Sequence, residues 1–274
     1  MTQKQQNQAR EKELREQAIL MFSKKAVVFD LDGTLTKSKT HLDKERSFLL
    51  CGLLEKKTAA VMGGGSYKQF KSQFLDYLNC AGERLKNLFI LPVSGGSMYK
   101  YENGGWKLVY ENNLEENEKD IIRSAFKNAF HDIDYIEPKK TYGEVVEDRA
   151  SQMTFSALGQ EAPLFEKEKW NKNSDIRPLL KTALEKHLSD FNVRLAGLTS
   201  IDITKKGIDK AYGLARLAEL LSLSKKDIIY IGDALYEGGN DYAVKLYGAD
   251  VFQIKDEEET KEIIRLLTNI LTNI

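Results

Sequence analysis

Cysteine is almost missing from this chain: Cys51 and Cys80 are the only two among 274 residues. Two thiols cannot build the framework of a small disulfide-stapled domain, and no Cys-x-x-Cys pair suggests zinc. Both are expected as reduced, buried, small apolar side chains. Proline is scarce too (Pro92, Pro138, Pro163 and Pro178), so no proline-rich linker marks a domain boundary. No apolar run approaches the length that spans a bilayer. The best candidate, Ala18-Ile19-Leu20-Met21-Phe22, is too short for a signal-peptide core and has no cleavage site behind it. An excess of either charge is also absent, because 41 Lys plus Arg balance 41 Asp plus Glu. That balance argues against broad nucleic-acid binding. What is present, 42% apolar and 30% charged residues, is the composition of a globular protein, expected to be soluble, cytoplasmic and without a membrane partner.

The order of elements divides the chain into three blocks. Residues 1–25, rich in Gln, Glu, Lys and Arg, are expected as a solvated leader with a helical turn or two carrying Leu14, Ile19 and Phe22. The first block alternates strand and helix. Ala26-Val27-Val28-Phe29, Ala59-Ala60-Val61-Met62 and Leu88-Phe89-Ile90-Leu91 are continuous apolar runs, as in parallel strands buried on both faces. Next, Met98–Tyr101 and Trp106–Tyr110 alternate at period two around Asn103-Gly104-Gly105, a hairpin signal. Helices over about 114–130 and 175–188 and an alternating stretch at 151–156 complete an α+β insert. The third block returns to the first pattern, with a helix over 208–221, a buried strand Ile228–Ile231 and two closing helices. The fold class is therefore α/β: a doubly wound parallel-sheet, Rossmann-like core over 26–98 and 205–274, with an α+β cap over 99–204.

Ligands of open α/β sheets bind at the carboxyl ends of the strands, so the residues following each apolar run carry the information. After the first strand stand Asp30-Leu31-Asp32-Gly33-Thr34, two carboxylates leaving a strand toward one crevice. After the second stand Gly63-Gly64-Gly65-Ser66, whose bare amides can cradle an anion at a helix N-terminus. After the late strand come Gly232-Asp233-Ala234-Leu235-Tyr236-Glu237-Gly238-Gly239-Asn240-Asp241. Oxygen-only ligands of this kind suit Mg²⁺, and a carboxylate can attack phosphorus. Taken singly, each segment also reads as a turn, a cap or a loop; their joint order along the strand ends favours chemistry.

These residues carry a resemblance. Phe29-Asp30-Leu31-Asp32-Gly33-Thr34-Leu35 is similar to the first motif of the haloacid dehalogenase superfamily of phosphotransferases. Gly232-Asp233-x4-Gly238-Gly239-Asn240-Asp241 resembles its fourth motif in the form typical of eukaryotic-type phosphomannomutases and their bacterial relatives. Ser200-Ile201-Asp202-Ile203 followed by Gly207-Ile208-Asp209-Lys210 matches the stretch around the third-motif lysine, and residues 149–159 resemble the cap segment that grips sugar phosphate. The resemblance implies that Asp30 is the nucleophile, Asp32 the general acid and base, and Lys210 the neutraliser of phosphoryl oxygens. It implies Mg²⁺ on Asp30, the carbonyl of Asp32 and Asp233, with Asn240 and Asp241 completing the metal loop or anchoring Lys210. Gly63, Gly64 and Ser66 would meet the phosphate, and Arg149, Ser156, Gln160, Ser200 and Asp202 the sugar phosphate. A hexose phosphate as partner and a homodimer through the cap are further expectations of it.

Two departures decide the expected activity. Gly63 stands where the second motif offers a Ser or Thr hydroxyl, so Ser66 or a water must supply that donor. Gln160 stands where the phosphomannomutases have an arginine, and an amide lacks its charge-assisted grip. A mutase must hold a bisphosphorylated sugar in two orientations. The expectation is therefore a phosphatase acting through an aspartyl-phosphate on a sugar phosphate or similar monoester. The alternatives are a phosphomannomutase and, second, a non-catalytic domain that binds a phosphorylated ligand.

Overall fold

The computed structural model describes residues 2–37 and 40–272. Its strands are β1 (Ala26–Asp30), β2 (Thr58–Met62), β3 (Leu88–Leu91), β4 (Ser97–Glu102), β5 (Gly105–Glu111), β6 (Val146–Asp148), β7 (Gln152–Ser156), β8 (Phe191–Ala196), β9 (Ser200–Lys205), β10 (Ile228–Gly232) and β11 (Asp250–Gln253). They form a seven-stranded sheet in the order β11-β10-β1-β2-β3-β4-β5 and a four-stranded sheet in the order β6-β7-β9-β8. From β11 to β3 the large sheet is parallel. β1, β3 and β10 are buried along their whole length, which is why they read as unbroken apolar runs. Alternate residues feed two faces. Val27, Phe29, Val61 and Ile90 pack with Leu50, Leu53 and Ile264; Val28, Ala60, Met62 and Tyr230 pack with Leu214 and Val244. β1 lies between β10 and β2, so the strand order reverses at its end and opens a crevice there. The smaller, antiparallel sheet has its own core, built from Phe155 and Ile203 with Ile122, Phe126 and Leu184 of its helices.

Four expectations change. The hairpin at 97–111 does form, with Asn103 and Gly104 at positive φ as a tight turn requires. It belongs to the large sheet, however, because β4 pairs antiparallel with β3; the inserted unit begins after Glu111 rather than at 99. Residues 3–23 are one long helix instead of a leader with a turn or two. Leu14, Ala18 and Met21, a narrow stripe at helical spacing, are buried against the helix Glu257–Thr272, and Arg10 pairs with Glu259 at 2.5 Å. Ile19 faces solvent. Cys51 and Cys80 are joined as a disulfide, with Cα atoms 5.4 Å apart, so neither is a free thiol. Finally, β6, β8, β11 and the helix Leu164–Ser174 are additional elements, too short or too polar to stand out in the sequence. Among the described residues no helix is long and apolar enough to cross a membrane.

Candidate active site

A cleft of about 550 Å³ opens at the carboxyl end of β1, between the two sheets. Asp30 is the last residue of β1, and the chain turns at once, with Gly33 donating to the Thr36 carbonyl at 2.7 Å. Gly33 has φ +85°, and a Cβ there would meet the Asp233 carboxylate at 2.5 Å. A glycine is thus required for the first and last motifs to close on each other. Asp32 lines the cleft, and its Oδ1 accepts from the Gln73 side-chain amide at 2.9 Å. The same amide nitrogen donates to Thr36 Oγ1 at 3.0 Å.

Beneath the cleft lies a buried charge cluster. Lys210 opens the helix Lys210–Leu220, and its ammonium donates to Asp30 Oδ1 at 2.5 Å and Asp241 Oδ1 at 2.6 Å. Lys210 and Asp241 are completely inaccessible to solvent. Asp241 also accepts from the Tyr230 hydroxyl at 2.6 Å and the Ala234 amide at 3.1 Å. It therefore anchors Lys210, one of the two roles the sequence left open, while Asn240 lines the cleft. Burial pushes the Asp30 carboxyl well above the ordinary carboxylate range; Lys210 pulls it down, and Asp241 and Asp233 add to the rise. Burial raises Asp233 in the same way, reinforced by Asp241. For Lys210 burial opposes the charge, but Asp241 and Asp30 outweigh it and hold the ammonium protonated. Carboxylate oxygens of Asp30, Asp233 and Asp241 come within 4.8 Å of one another. Three carboxylates around one ammonium leave two negative charges, the complement of one divalent cation held by hard oxygen donors.

The glycine loop is arranged differently from the expectation. Gly64 and Gly65 line the cleft; Gly63 and Ser66 do not. The Ser66 hydroxyl caps the helix Tyr67–Gln73, accepting from the Gln69 amide, while the Gln69 side chain accepts from Ser66 N at 2.8 Å. The Ser66 hydroxyl oxygen is engaged as the cap acceptor, and the residue does not line the cleft. Gly63 packs under an aromatic ring: a Cβ there would lie 3.2 Å from Phe70 Cζ and 3.3 Å from Leu31 Cβ. Gly63→Ser is therefore expected to bring no gain in turnover and to lower stability by about 1–3 kcal/mol through overpacking. Paired urea melts and initial rates check this, and a faster, equally stable variant would show that the missing hydroxyl limits the enzyme.

The opposite wall comes from the smaller sheet. Arg149, Thr154, Ser200 and Asp202 line the cleft, and Thr154 donates to Asp202 at 2.8 Å. Arg149 is held by Glu147 at 2.7 Å and by Gln160 Oε1 at 3.0 Å, and reaches across to the Gly64 carbonyl at 2.8 Å. Gln160 thus orients Arg149 and is not itself on the cleft wall. Ser156 is also withdrawn, its hydroxyl bonded to Thr199 and the Gly159 carbonyl inside the cap. The sequence reading missed Arg177, which lines the cleft while paired with Asp175 at 2.7 Å and bonded to the Gly197 carbonyl at 2.7 Å. A signal existed: an arginine in the first turn of a helix opposes the helix dipole and needs a reason. Gln69, Phe70 and Gln73 were missed as well, since their helix reads as ordinary core.

Comparison with known proteins gives a family for the chain. A family model described as eukaryotic phosphomannomutase matches residues 47–271; the Asp30–Asp32 turn lies ahead of that span. Phosphomannomutase 1 of Dictyostelium discoideum is 28% identical over 225 residues, 79% of this chain and 85% of that protein. The phosphomannomutase of Encephalitozoon cuniculi is 28% identical over 234 residues, covering 79% and 82%. Among solved structures, IMP-bound IMP-nucleotidase of Plasmodium falciparum superposes with a TM-score of 0.68 at 15% identity, covering 93% of this chain and 71% of that one. Trehalose-6-phosphate phosphatase of Aspergillus fumigatus superposes with a TM-score of 0.55 at 14% identity, covering 93% and 97%. These two likenesses are of fold.

Proposed function

Since the chain belongs to the eukaryotic phosphomannomutase family, and is thus a phosphoryl-transfer enzyme of the haloacid dehalogenase fold, we propose that it interconverts mannose 1-phosphate and mannose 6-phosphate. The observation that carries this reading is the cleft itself: carboxylates on one wall with Lys210 buried beneath them, and Arg149 and Arg177 on the other. Such a cleft suits a sugar phosphorylated at both ends. The argument for a phosphatase rested on Gln160, and it weakens once Gln160 is seen to orient Arg149 and Arg177 supplies a second cleft arginine.

In this reading Asp30 attacks phosphorus, an oxygen–phosphorus bond to Asp30 forms, and the bond to the sugar oxygen breaks. Asp32 delivers its proton to that leaving oxygen. In the return step Asp32 takes the proton from the free hydroxyl of a sugar monophosphate as the phosphoryl group passes from Asp30 to that oxygen, giving the bisphosphate. Repetition of the first step at its other end completes the exchange. Lys210 holds Asp30 in place and balances charge near the phosphoryl oxygens. The donor set fits Mg²⁺, which Asp30, Asp233, the Asp32 carbonyl and Asn240 would hold; when bound it would supply neutralisation of phosphoryl charge.

Gln73 donates to Asp32 Oδ1 and so fixes the orientation of the carboxyl group that this reading makes the general acid and base. Gln73→Leu is expected to lower turnover about 10–100-fold with little change in KM, less than the roughly 10²–10⁴-fold of a whole general acid–base contribution because Asp32 itself remains, and steady-state kinetics read the split. The function itself is tested by a ³¹P NMR time course with mannose 1-phosphate, Mg²⁺ and a trace of hexose 1,6-bisphosphate. Growth of the 6-phosphate signal is expected; growth of inorganic phosphate instead would make the enzyme a phosphatase.

A further inference from the structure

The smaller sheet gives one side of its strands to its own core and the other to the cleft. Along β7, Met153 and Phe155 pack in that core with Ile201 and Ile203 of β9, so Gln152 and Thr154, which alternate with them, turn the other way. Thr154 stands directly opposite Asp202 of β9, and both line the cleft. We propose that Gln152 is a positioning residue for the sugar. It ties the glycine loop to Thr154 and, through Thr154, sets the Asp202 carboxylate as the acceptor of a sugar hydroxyl. This rests on the reading above that a sugar phosphate occupies the cleft.

The hydrogen bonds run in one direction. Gln152 is completely withdrawn from solvent. Its Nε2 donates to the Gly64 carbonyl at 3.2 Å and to Thr154 Oγ1 at 2.8 Å. A carbonyl only accepts, so the amide group cannot turn over without setting oxygen against oxygen. A hydroxyl carries a single proton; with Gln152 donating to it, the Thr154 oxygen sends that proton to Asp202 Oδ1 at 2.8 Å. Asp202 is thereby held over the glycine loop, where a Cβ on Gly64 would lie 3.1 Å from its Oδ2. The same Gly64 carbonyl accepts from Arg149 at 2.8 Å, so the loop keeps a tie to the cap when Gln152 is changed.

The amide does little for the fold on its own account. Gln152 Oε1 is buried and has no hydrogen-bond partner among the described residues. A stranded acceptor is a cost that an apolar side chain of the same length would not carry. What the glutamine adds is its two donated bonds, and both end on residues that line the cleft.

Steady-state kinetics of the full chain test this, as wild type, Gln152→Met, Thr154→Val and the double variant. Loss of mannose 1-phosphate is followed with Mg²⁺ and a trace of hexose 1,6-bisphosphate, and inorganic phosphate serves as competitive inhibitor. Phosphate occupies the reacting end of the site but brings no sugar hydroxyl. Gln152→Met is expected to raise KM for mannose 1-phosphate about tenfold or more, the scale of a hydrogen bond to a charged group. Both kcat and the Ki of phosphate are expected to stay within about threefold of wild type. A parallel rise of KM and Ki, an unchanged KM, or a fall in kcat alone overturns the proposal. The double variant is expected within about threefold of Thr154→Val, because both changes act through one hydroxyl; fully additive losses overturn it. Should Gln152→Met fail to fold, Thr154→Val and Thr154→Ser decide. A raised KM in the valine variant with near wild-type values in the serine variant, which keeps the hydroxyl, supports the relay, and a valine variant without effect overturns it. Failure of the mutase reading is separate: it appears as inorganic phosphate in place of the 6-phosphate, while the KM contrast is read from loss of mannose 1-phosphate whatever the product.

Discussion

Asp30→Asn is expected to lose turnover by roughly 10⁴-fold or more, the scale on which loss of a catalytic nucleophile is felt, while melting no lower than the wild type in metal-free buffer. The second half follows from the raised carboxyl of Asp30. A carboxyl whose folded pKa lies above its unfolded value resists ionisation in the native state, so the ionised side chain subtracts from stability as pH rises above the unfolded value. Asparagine retains an oxygen able to accept from Lys210 and has no charge to bury. The advantage of the variant is therefore expected to grow between about pH 4 and neutrality. Rates of mannose 1-phosphate consumption and melting curves in EDTA measure the two halves. Retained turnover would remove Asp30 from the role of nucleophile.

Lys210→Met is expected to be the most damaging single change to both fold and activity. It leaves Asp30 and Asp241 facing each other in a region closed to water, without the ammonium that now bridges them at 2.5 and 2.6 Å. Removing one partner from a buried ionic cluster costs about 3–5 kcal/mol, a fall in melting temperature on the order of 10 °C for a chain of this size. The deficit has a signature that lost packing lacks. Without Lys210 both carboxyls are driven toward their neutral forms, so stability recovers as pH falls and protons replace the missing cation. The gap to wild type is expected to narrow between about pH 8 and about pH 5. A gap independent of pH would mean that the lysine stem, rather than its charge, holds the region together.

Much of this was visible in the chain before its fold was known, because two features are written locally. Strands buried on both faces carry unbroken apolar runs, and β1 and β10 carry them next to Asp30 and Asp233. Strand ends in a parallel sheet converge, so finding those strands also found the acidic rim. What stayed hidden depends on partners distant in sequence. The pattern at 97–111 specifies a hairpin but not which edge it joins, and it joins β3. Leu14, Ala18 and Met21 form too narrow a stripe to announce 21 residues of docked helix. Ser66 had two plausible employments, and a glutamine three residues on decided for the helix cap. Gln73 looks like an ordinary helical polar residue until Asp32 is placed beside it.

The disulfide between Cys51 and Cys80 has a topological result. The bonded cysteines are separated by 29 positions, and the chain between them contains Gly64, Gly65, Gln69 and Gln73. The part of the cleft lining that these residues supply is thus carried on a covalently closed ring. A ring of that length restricts the unfolded chain by about 3–4 kcal/mol in the loop-entropy picture. It also keeps this segment attached after a single backbone cut: a protease that nicks the ring once opens it into a longer path without setting a fragment free. Such nicked protein would migrate intact in a non-reducing gel and separate into two pieces only after thiol treatment.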